Sequence, residues 1–166
     1  MSNGAKILGH YVHPMLIPLP LGVLSMAVVF DIVRLVTGQT AWSLAAFYMI
    51  IAGIIAGLLA AMFGLIDWLA IGGGTRAKRV GALHGIGNVV VVTLFFISWW
   101  IRRPMPDAPT TTALVFSFAG GLLALVTGWL GGELVERMAV GVDDGAHGNS
   151  PSSLSGRPAS EGRRPQ

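Results

Sequence analysis

Residues 42–71 read WSLAAFYMIIAGIIAGLLAAMFGLIDWLAI, a stretch in which Asp67 is the one charged residue. A helix needs about 20 mostly apolar residues to cross the hydrocarbon core of a bilayer. This stretch therefore predicts a membrane-spanning helix. Three further apolar runs of sufficient length lie at 14–37, 80–101 and 110–139. Together they predict an integral membrane protein with four spanning helices.

The overall composition supports a membrane protein and excludes several other classes. Of the 166 residues only 11% are charged, whereas soluble domains carry about 25%, and the mean hydropathy is +0.68. The chain has no cysteine, which excludes disulfides, thiolate metal sites, cysteine-ligated iron–sulfur clusters and thiol catalysis. The net charge of +3 does not indicate a nucleic-acid partner, because the basic residues lie beside the apolar runs.

Short connections between the apolar runs predict how the helices are arranged. The connections 38–41, 72–79 and 104–109 force neighbouring helices to run antiparallel, which predicts an all-α, up-down-up-down four-helix bundle at 14–140. Residues 1–13 form a lead-in, and prolines predict that residues 13–20 are bent or partly extended. The tail 141–166 is rich in Gly, Ser, Pro and Arg, a composition typical of disorder.

Basic residues are distributed unequally between the two ends of the predicted bundle. One end has eight: Lys6, Arg76, Lys78, Arg79, Arg137, Arg157, Arg163 and Arg164. The other end has Arg34, Arg102 and Arg103. Because basic residues are retained on the cytoplasmic side, both termini and the 72–79 loop are predicted to be cytoplasmic.

Small residues recur every fourth position on two of the helices. The ladders are Gly53, Gly57 and Ala61; Ala56, Ala60 and Gly64; and Gly120, Ala124, Gly128 and Gly132. Such spacing allows helix backbones to approach closely within a membrane. We expect these faces to pack against other helices.

Polar residues that are distant in sequence converge at the predicted cytoplasmic end. His13 begins the first helix, Asp67 ends the second, His84 and Asn88 lie one turn apart at the start of the third, and Glu133 ends the fourth. A carboxylate at a helix C-terminus is disfavoured by the helix dipole and needs a cationic partner. Ionisable residues in spanning segments are candidates for a functional site.

Three interpretations of this cluster are open. In the first, the groups pair with one another, His84 with Asp67 and Glu133 with Arg137. In the second, His13 and His84 are axial ligands of a b-type haem, with Asn88 beside them and loop bases holding the propionates. In the third, both histidines and a carboxylate of Asp67 or Glu133 coordinate a transition metal ion. Elsewhere, Asp31 and Arg34 are predicted to pair along the first helix.

The chain resembles a family of bacterial predicted membrane proteins called domain of unknown function 2231. The resemblance extends from about residue 9 to residue 142 and is carried by short motifs in a fixed order. They are His13-Pro14 with Pro18 and Pro20, Asp31, Gly64, Asp67, Thr75, Ala77, His84, Asn88, the stretch GWLGGEL at 128–134, and Gly141-Val142.

The resemblance implies a four-helix domain of the bacterial inner membrane whose activity is not established. Some members share a chain with Rieske-type iron–sulfur domains, which favours membrane electron transfer. Because this chain lacks cysteine, a redox role requires a haem or metal cofactor of its own or a partner subunit. The alternative is a cofactor-free structural or assembly subunit that packs against other membrane subunits, or against its own copies, through the small-residue faces. A small transporter is a third hypothesis, which no broken-helix repeat supports.

Overall fold

The computed structural model describes residues 4–162 and confirms the predicted all-α four-helix bundle. A two-stranded hairpin precedes the helices, and one 3-10 turn, Ser153–Ser155, follows them. The elements are β1 (Lys6–Ile7), β2 (His10–Tyr11), α1 (Val12–Leu16), α2 (Pro18–Thr37), α3 (Thr40–Ala70), α4 (Arg76–Arg102) and α5 (Thr111–Glu136). With α1 and α2 taken together, this part of the chain has four helices long and apolar enough to span a membrane.

The helix boundaries follow from local sequence. Thr75 and Thr110 begin α4 and α5 because their hydroxyl oxygens accept hydrogen bonds from backbone N–H groups in the first turn, as N-cap residues do. Gly38, at φ +72°, ends α2. The predicted bend at 13–20 is an interruption between two helical segments rather than extended chain, since Ile17 between α1 and α2 keeps helical φ and ψ.

The bundle consists of two hairpins, α1–α2 with α3 and α4 with α5, packed side by side. An apolar cluster of seven buried residues lies between them: Leu24, Ala27, Ala46, Ile50, Ile54, Val91 and Phe95. Close packing on glycine is confirmed in both hairpins. A Cβ atom added at Gly53 would lie 2.5 Å from the Leu24 side chain, and one added at Gly120 would lie 2.9 Å from the Phe95 ring. By contrast, an added Cβ at Gly128 or Gly132 would meet open space.

A buried ion pair connects the two hairpins at the end opposite to His13. The Arg102 guanidinium donates to both carboxylate oxygens of Asp31, at 2.7 and 2.6 Å, and both side chains are fully buried. Ser117 donates to Asp31 at 3.0 Å, and Arg102 Nε donates to Ser98 at 3.1 Å. The predicted pairing of Asp31 with Arg34 is therefore wrong, because the bidentate partner lies on α4 rather than one turn along α2.

The terminal segments cover the end of the bundle that carries His13 and His84, which we call the histidine end. Leu8 and Gly9, both at positive φ, form the turn between β1 and β2, and the Lys6 ammonium forms an ion pair with Asp143 of the tail. Residues 141–162 consist of turns, irregular chain and the 3-10 turn Ser153–Ser155. Disorder of the tail stays a prediction. Residues 163–166 lie outside the described residues.

Candidate functional site

His13 lies in the first turn of α1 and projects onto α3. Its Nδ1 is 2.8 Å from the backbone oxygen of Ala60. The ring rests on Gly64, one helical turn further along α3, where an added Cβ would lie 2.7 Å from His13 Cε1. Because a carbonyl oxygen only accepts hydrogen bonds, Nδ1 carries the proton and the neutral ring has its lone pair on Nε2.

His84 is held in the same way by the second hairpin. It lies on α4, and its Nδ1 is 2.8 Å from the backbone oxygen of Thr127 on α5. Its ring lies over Gly131, one turn beyond Thr127, where an added Cβ would be 3.1 Å from His84 Cε1. The lone pair is again on Nε2, and it accepts a hydrogen bond from the Asn88 amide at 3.1 Å.

The two imidazole rings meet between the hairpins in a T-shaped, edge-on arrangement. Their centroids are 6.5 Å apart and their planes are inclined by 81°. Two imidazoles on opposite sides of one metal ion would have centroids about 6 Å apart, given a metal–nitrogen bond of about 2 Å and a ring radius of about 1 Å. The separation of His13 and His84 is close to that value. The predicted convergence of these two residues is therefore what the structure shows.

The carboxylates predicted to join the histidines are engaged elsewhere. Asp67 accepts the backbone N–H of Ala5 at 3.0 Å, and Glu133 accepts the Arg76 guanidinium at 2.6 Å. Among residues 4–162 no three or more His, Asp or Glu side chains are grouped so that they could hold a metal ion. The four-ligand set of His13, His84, Asp67 and Glu133 is therefore not assembled.

The partners in the first interpretation also differ from the prediction. His84 contacts Thr127 and Asn88 rather than Asp67, and Glu133 contacts Arg76 rather than Arg137. Asp67 instead lines a cleft of about 330 Å³ beneath the terminal segments. The carboxylates thus connect the chain's own loops and termini at the histidine end.

The basic residues at the start of α4 have distinct roles. Lys78 lies over the Trp68 ring at 4.0 Å and donates to the Trp68 carbonyl at 2.7 Å. Trp68 Nε1 in turn donates to the Lys78 carbonyl at 3.0 Å. This reciprocal contact fixes the turn between α3 and α4. Arg79 is exposed and remains available to an anionic group at the membrane surface.

Sequence reasoning missed the groups that position the histidines. The Ala60 and Thr127 carbonyls belong to helices and leave no sequence signal. The glycines beneath the rings did leave a signal in the sequence, since each lies four residues after the residue whose carbonyl binds the histidine. A pairing of His13 with Gly64 could have been inferred from the small-residue ladder of α3.

The comparisons with known proteins give a family and no closer relative. No curated protein and no solved structure matches the chain. The family model described as predicted membrane protein (DUF2231) matches residues 9–144, which includes all four spanning helices, both histidines and the Asp31–Arg102 pair. The predicted resemblance is confirmed, and the chain belongs to the DUF2231 family of predicted membrane proteins.

Proposed function

We propose that this protein binds haem b or a single transition metal ion between His13 and His84, and that it serves as an accessory component of membrane redox chemistry. The observation that carries this function is the pair of imidazole rings with centroids 6.5 Å apart. The two rings come from separate hairpins. A group bound by both would therefore lie in the interior of the bundle.

The hydrogen bonds of the two rings support this proposal, because they follow a pattern that is common among ligating histidines. Such residues commonly donate one ring N–H to a carbonyl or carboxylate, which fixes the tautomer and leaves the other nitrogen for the metal. His13 and His84 use Nδ1 in this way, with the carbonyls of Ala60 and Thr127. The Nε2 atoms are then the ligand atoms, and a metal bound at His84 would replace the hydrogen bond that its Nε2 accepts from Asn88.

The remaining residues of the site orient the rings and control access. Gly64 and Gly131 let each ring lie against a helix backbone, and the terminal segments separate the histidine end from water. A bound haem iron or copper ion would supply a one-electron redox couple, which the side chains of this chain do not provide. For haem, the exposed Arg79 and Arg137 would receive the propionates.

We propose a bacterial inner-membrane location with both termini in the cytoplasm. The burial of Arg102 supports this orientation, because only Arg34 and Arg103 then remain as partly or fully exposed bases at the end opposite to the histidines. Since the natural chain has no cysteine, single cysteines can test it. With an impermeant thiol reagent on intact cells, Asp107→Cys is expected to be labelled and Asn149→Cys protected. The reverse pattern would contradict the orientation.

The cofactor is tested by purifying the protein in mild detergent, recording oxidised and reduced absorption spectra, and measuring bound metals. We expect a Soret band or about one metal ion per chain that is lost in His13→Ala and in His84→Ala. His10→Ala and His147→Ala are matched controls, because these two histidines lie in the hairpin and the tail, outside the helices. They are expected to retain the cofactor.

A colourless, metal-free protein would overturn this function and support a cofactor-free structural subunit. One observation favours that second candidate. Gly128 and Gly132 lie one turn apart on α5, and an added Cβ at either would meet open space. Small residues at this spacing on a lipid-facing surface are typical of helix–helix docking in membranes. Co-purification of other membrane subunits, lost in Gly128→Leu, would then be expected.

A further inference from the structure

Residues that face each other across the bundle occur at one constant sequence separation. Asp31 and Arg102, which form the buried ion pair, are 71 residues apart. His13 and His84 have the same separation. The spacing along the chain is therefore the same in both hairpins: Asp31 follows His13 by 18 residues, and Arg102 follows His84 by 18 residues. At 1.5 Å per residue, the histidine pair and the ion pair are about 27 Å apart.

Contacts inside the two hairpins repeat with the same correspondence. Leu24 packs on Gly53 in the first hairpin, and Phe95, 71 residues after Leu24, packs on Gly120 in the second. His13 binds the carbonyl of Ala60 at 2.8 Å, and His84 binds that of Thr127 at 2.8 Å.

The partners on α3 and α5 are related by a constant shift of their own. Gly53 and Gly120, Ala60 and Thr127, and Gly64 and Gly131 are each 67 residues apart. The shift is four residues shorter than on the other helices because Gly53 follows Asp31 by 22 residues, whereas Gly120 follows Arg102 by 18. Three kinds of contact thus agree on one alignment of the hairpins: a histidine–carbonyl bond, a histidine on glycine, and an apolar side chain on glycine.

This correspondence has a geometric meaning. When equivalent residues of two copies face each other, the copies are related by a two-fold axis that passes between those residues. His13 faces His84 and Asp31 faces Arg102, so one axis along the bundle accounts for both pairs. The two hairpins run in the same direction, as in parallel internal repeats of membrane proteins.

We propose that the two hairpins are copies of one unit related by this pseudo-two-fold axis, and that the bound centre lies on the axis, with His13 and His84 as equivalent ligands. The inference rests on the proposed function and deepens it. It specifies one centre per chain, held by two imidazoles and by no carboxylate of this chain. Asp67 and Glu133 fit this assignment, since they bind Ala5 and Arg76 instead.

One departure from the symmetry is informative. The position equivalent to Asn88 in the first hairpin is Ile17, so only His84 accepts a hydrogen bond from a side chain of its own helix at Nε2. Occupation of the axis requires the Asn88 amide to give up this bond. Asn88 therefore holds the His84 tautomer in the free protein and is not an equivalent ligand.

The test is a titration of the full-length protein in mild detergent with hemin and, separately, with copper(I). We expect one equivalent of one of them to bind per chain, with His13→Asn and His84→Asn each weakening that binding to the same extent, by at least about 100-fold. Asparagine keeps a donor for the carbonyl of Ala60 or Thr127 while it removes Nε2. Asp67→Asn and Glu133→Gln are the matched controls and are expected to leave affinity unchanged.

A second measurement tests the axis without any cofactor. Exchange of the ion pair, by Asp31→Arg together with Arg102→Asp, should recover most of the thermal stability lost in either single variant. Unequal losses at the two histidines, a loss in the carboxylate controls, or a double exchange no more stable than the single variants would overturn the inference, while the proposed function would stand. A wild-type protein that binds neither hemin nor copper(I), and that contains no metal when purified, would overturn both.

Discussion

Replacing Arg102 with methionine removes one half of an ion pair that no water reaches. Arg102 is only 1% exposed, and its guanidinium donates three hydrogen bonds, two to Asp31 and one to Ser98. Methionine retains most of the apolar stem but leaves Asp31 with Ser117 as its remaining donor. Breaking a buried ion pair by removing one partner costs about 3–5 kcal/mol. For a chain of this size that is a fall in Tm of roughly 6–20 °C.

The converse change should be more damaging. A stranded carboxylate can be neutralised by a single proton, whereas a guanidinium keeps its charge and its five donors. Asp31→Leu is therefore expected to lower Tm more than Arg102→Met. The double variant Asp31→Leu with Arg102→Met should be more stable than either single variant, because replacement of a whole buried pair by apolar residues is often neutral.

The assay is thermal unfolding in mild detergent, followed by helix content. Arg103→Met is the matched control, since Arg103 is the next residue, is exposed, and stacks on Trp100 at 3.3 Å. Such a contact contributes about 0.5–1 kcal/mol. If Arg102→Met were no more destabilising than Arg103→Met, or if the double variant were worse than both single ones, the ion pair would not be what joins the hairpins.

Three further outcomes are expected. Gly64→Ala should lower both Tm and cofactor binding, because its Cβ would lie 2.7 Å from the His13 ring. Gly128→Ala is the control, since its Cβ would meet open space, and it should be neutral or stabilising by up to about 1 kcal/mol. Equal effects of the two variants on unfolding and on titration would contradict the packing. Asn88→Leu should cost about 1 kcal/mol through its lost hydrogen bond and leave hemin or copper(I) affinity unchanged or tighter, and a weaker titration would make Asn88 a ligand. The Asp143 hydrogen bond raises the pKa of Lys6 above 10.5. The contact between the hairpin and the tail should therefore persist below pH 10.5 and be lost as the pH rises through the raised pKa. Limited proteolysis that cleaves the tail as fast at pH 8 as at pH 11 would refute this prediction.

Helix number and order could be predicted from the sequence because they depend on the length of apolar runs. The run at 42–71 predicted α3 to within two residues, since lipid imposes one requirement on every spanning segment. The pairing of side chains could not be predicted in the same way. Asp31 is three residues from Arg34 and 71 from Arg102, and local spacing favoured the wrong partner.

The candidate site, like the fold, could be predicted only in part. His13 and His84 were brought together by counting helix directions, a global property that short loops determine. Asp67 and Glu133 were assigned to the same depth but bind Ala5 and Arg76. Helix boundaries predict the depth of a side chain in the membrane. The rotation of the helix about its own axis decides which neighbour that side chain contacts. Without knowledge of helix rotation, the sequence could not separate the two histidines that meet between the hairpins from the carboxylates that contact the loops and termini.

The opposite charges of Asp31 and Arg102 have a consequence for how such a bundle could arise. Two identical hairpins that assembled as separate chains would present the same side chain twice at this level, either two carboxylates or two guanidiniums, and like charges in a dry interior repel. Complementarity on a symmetry axis requires two different sequences. A self-pairing ancestor could not have carried this pair, because one copy can become acidic and the other basic only after the two copies are encoded separately.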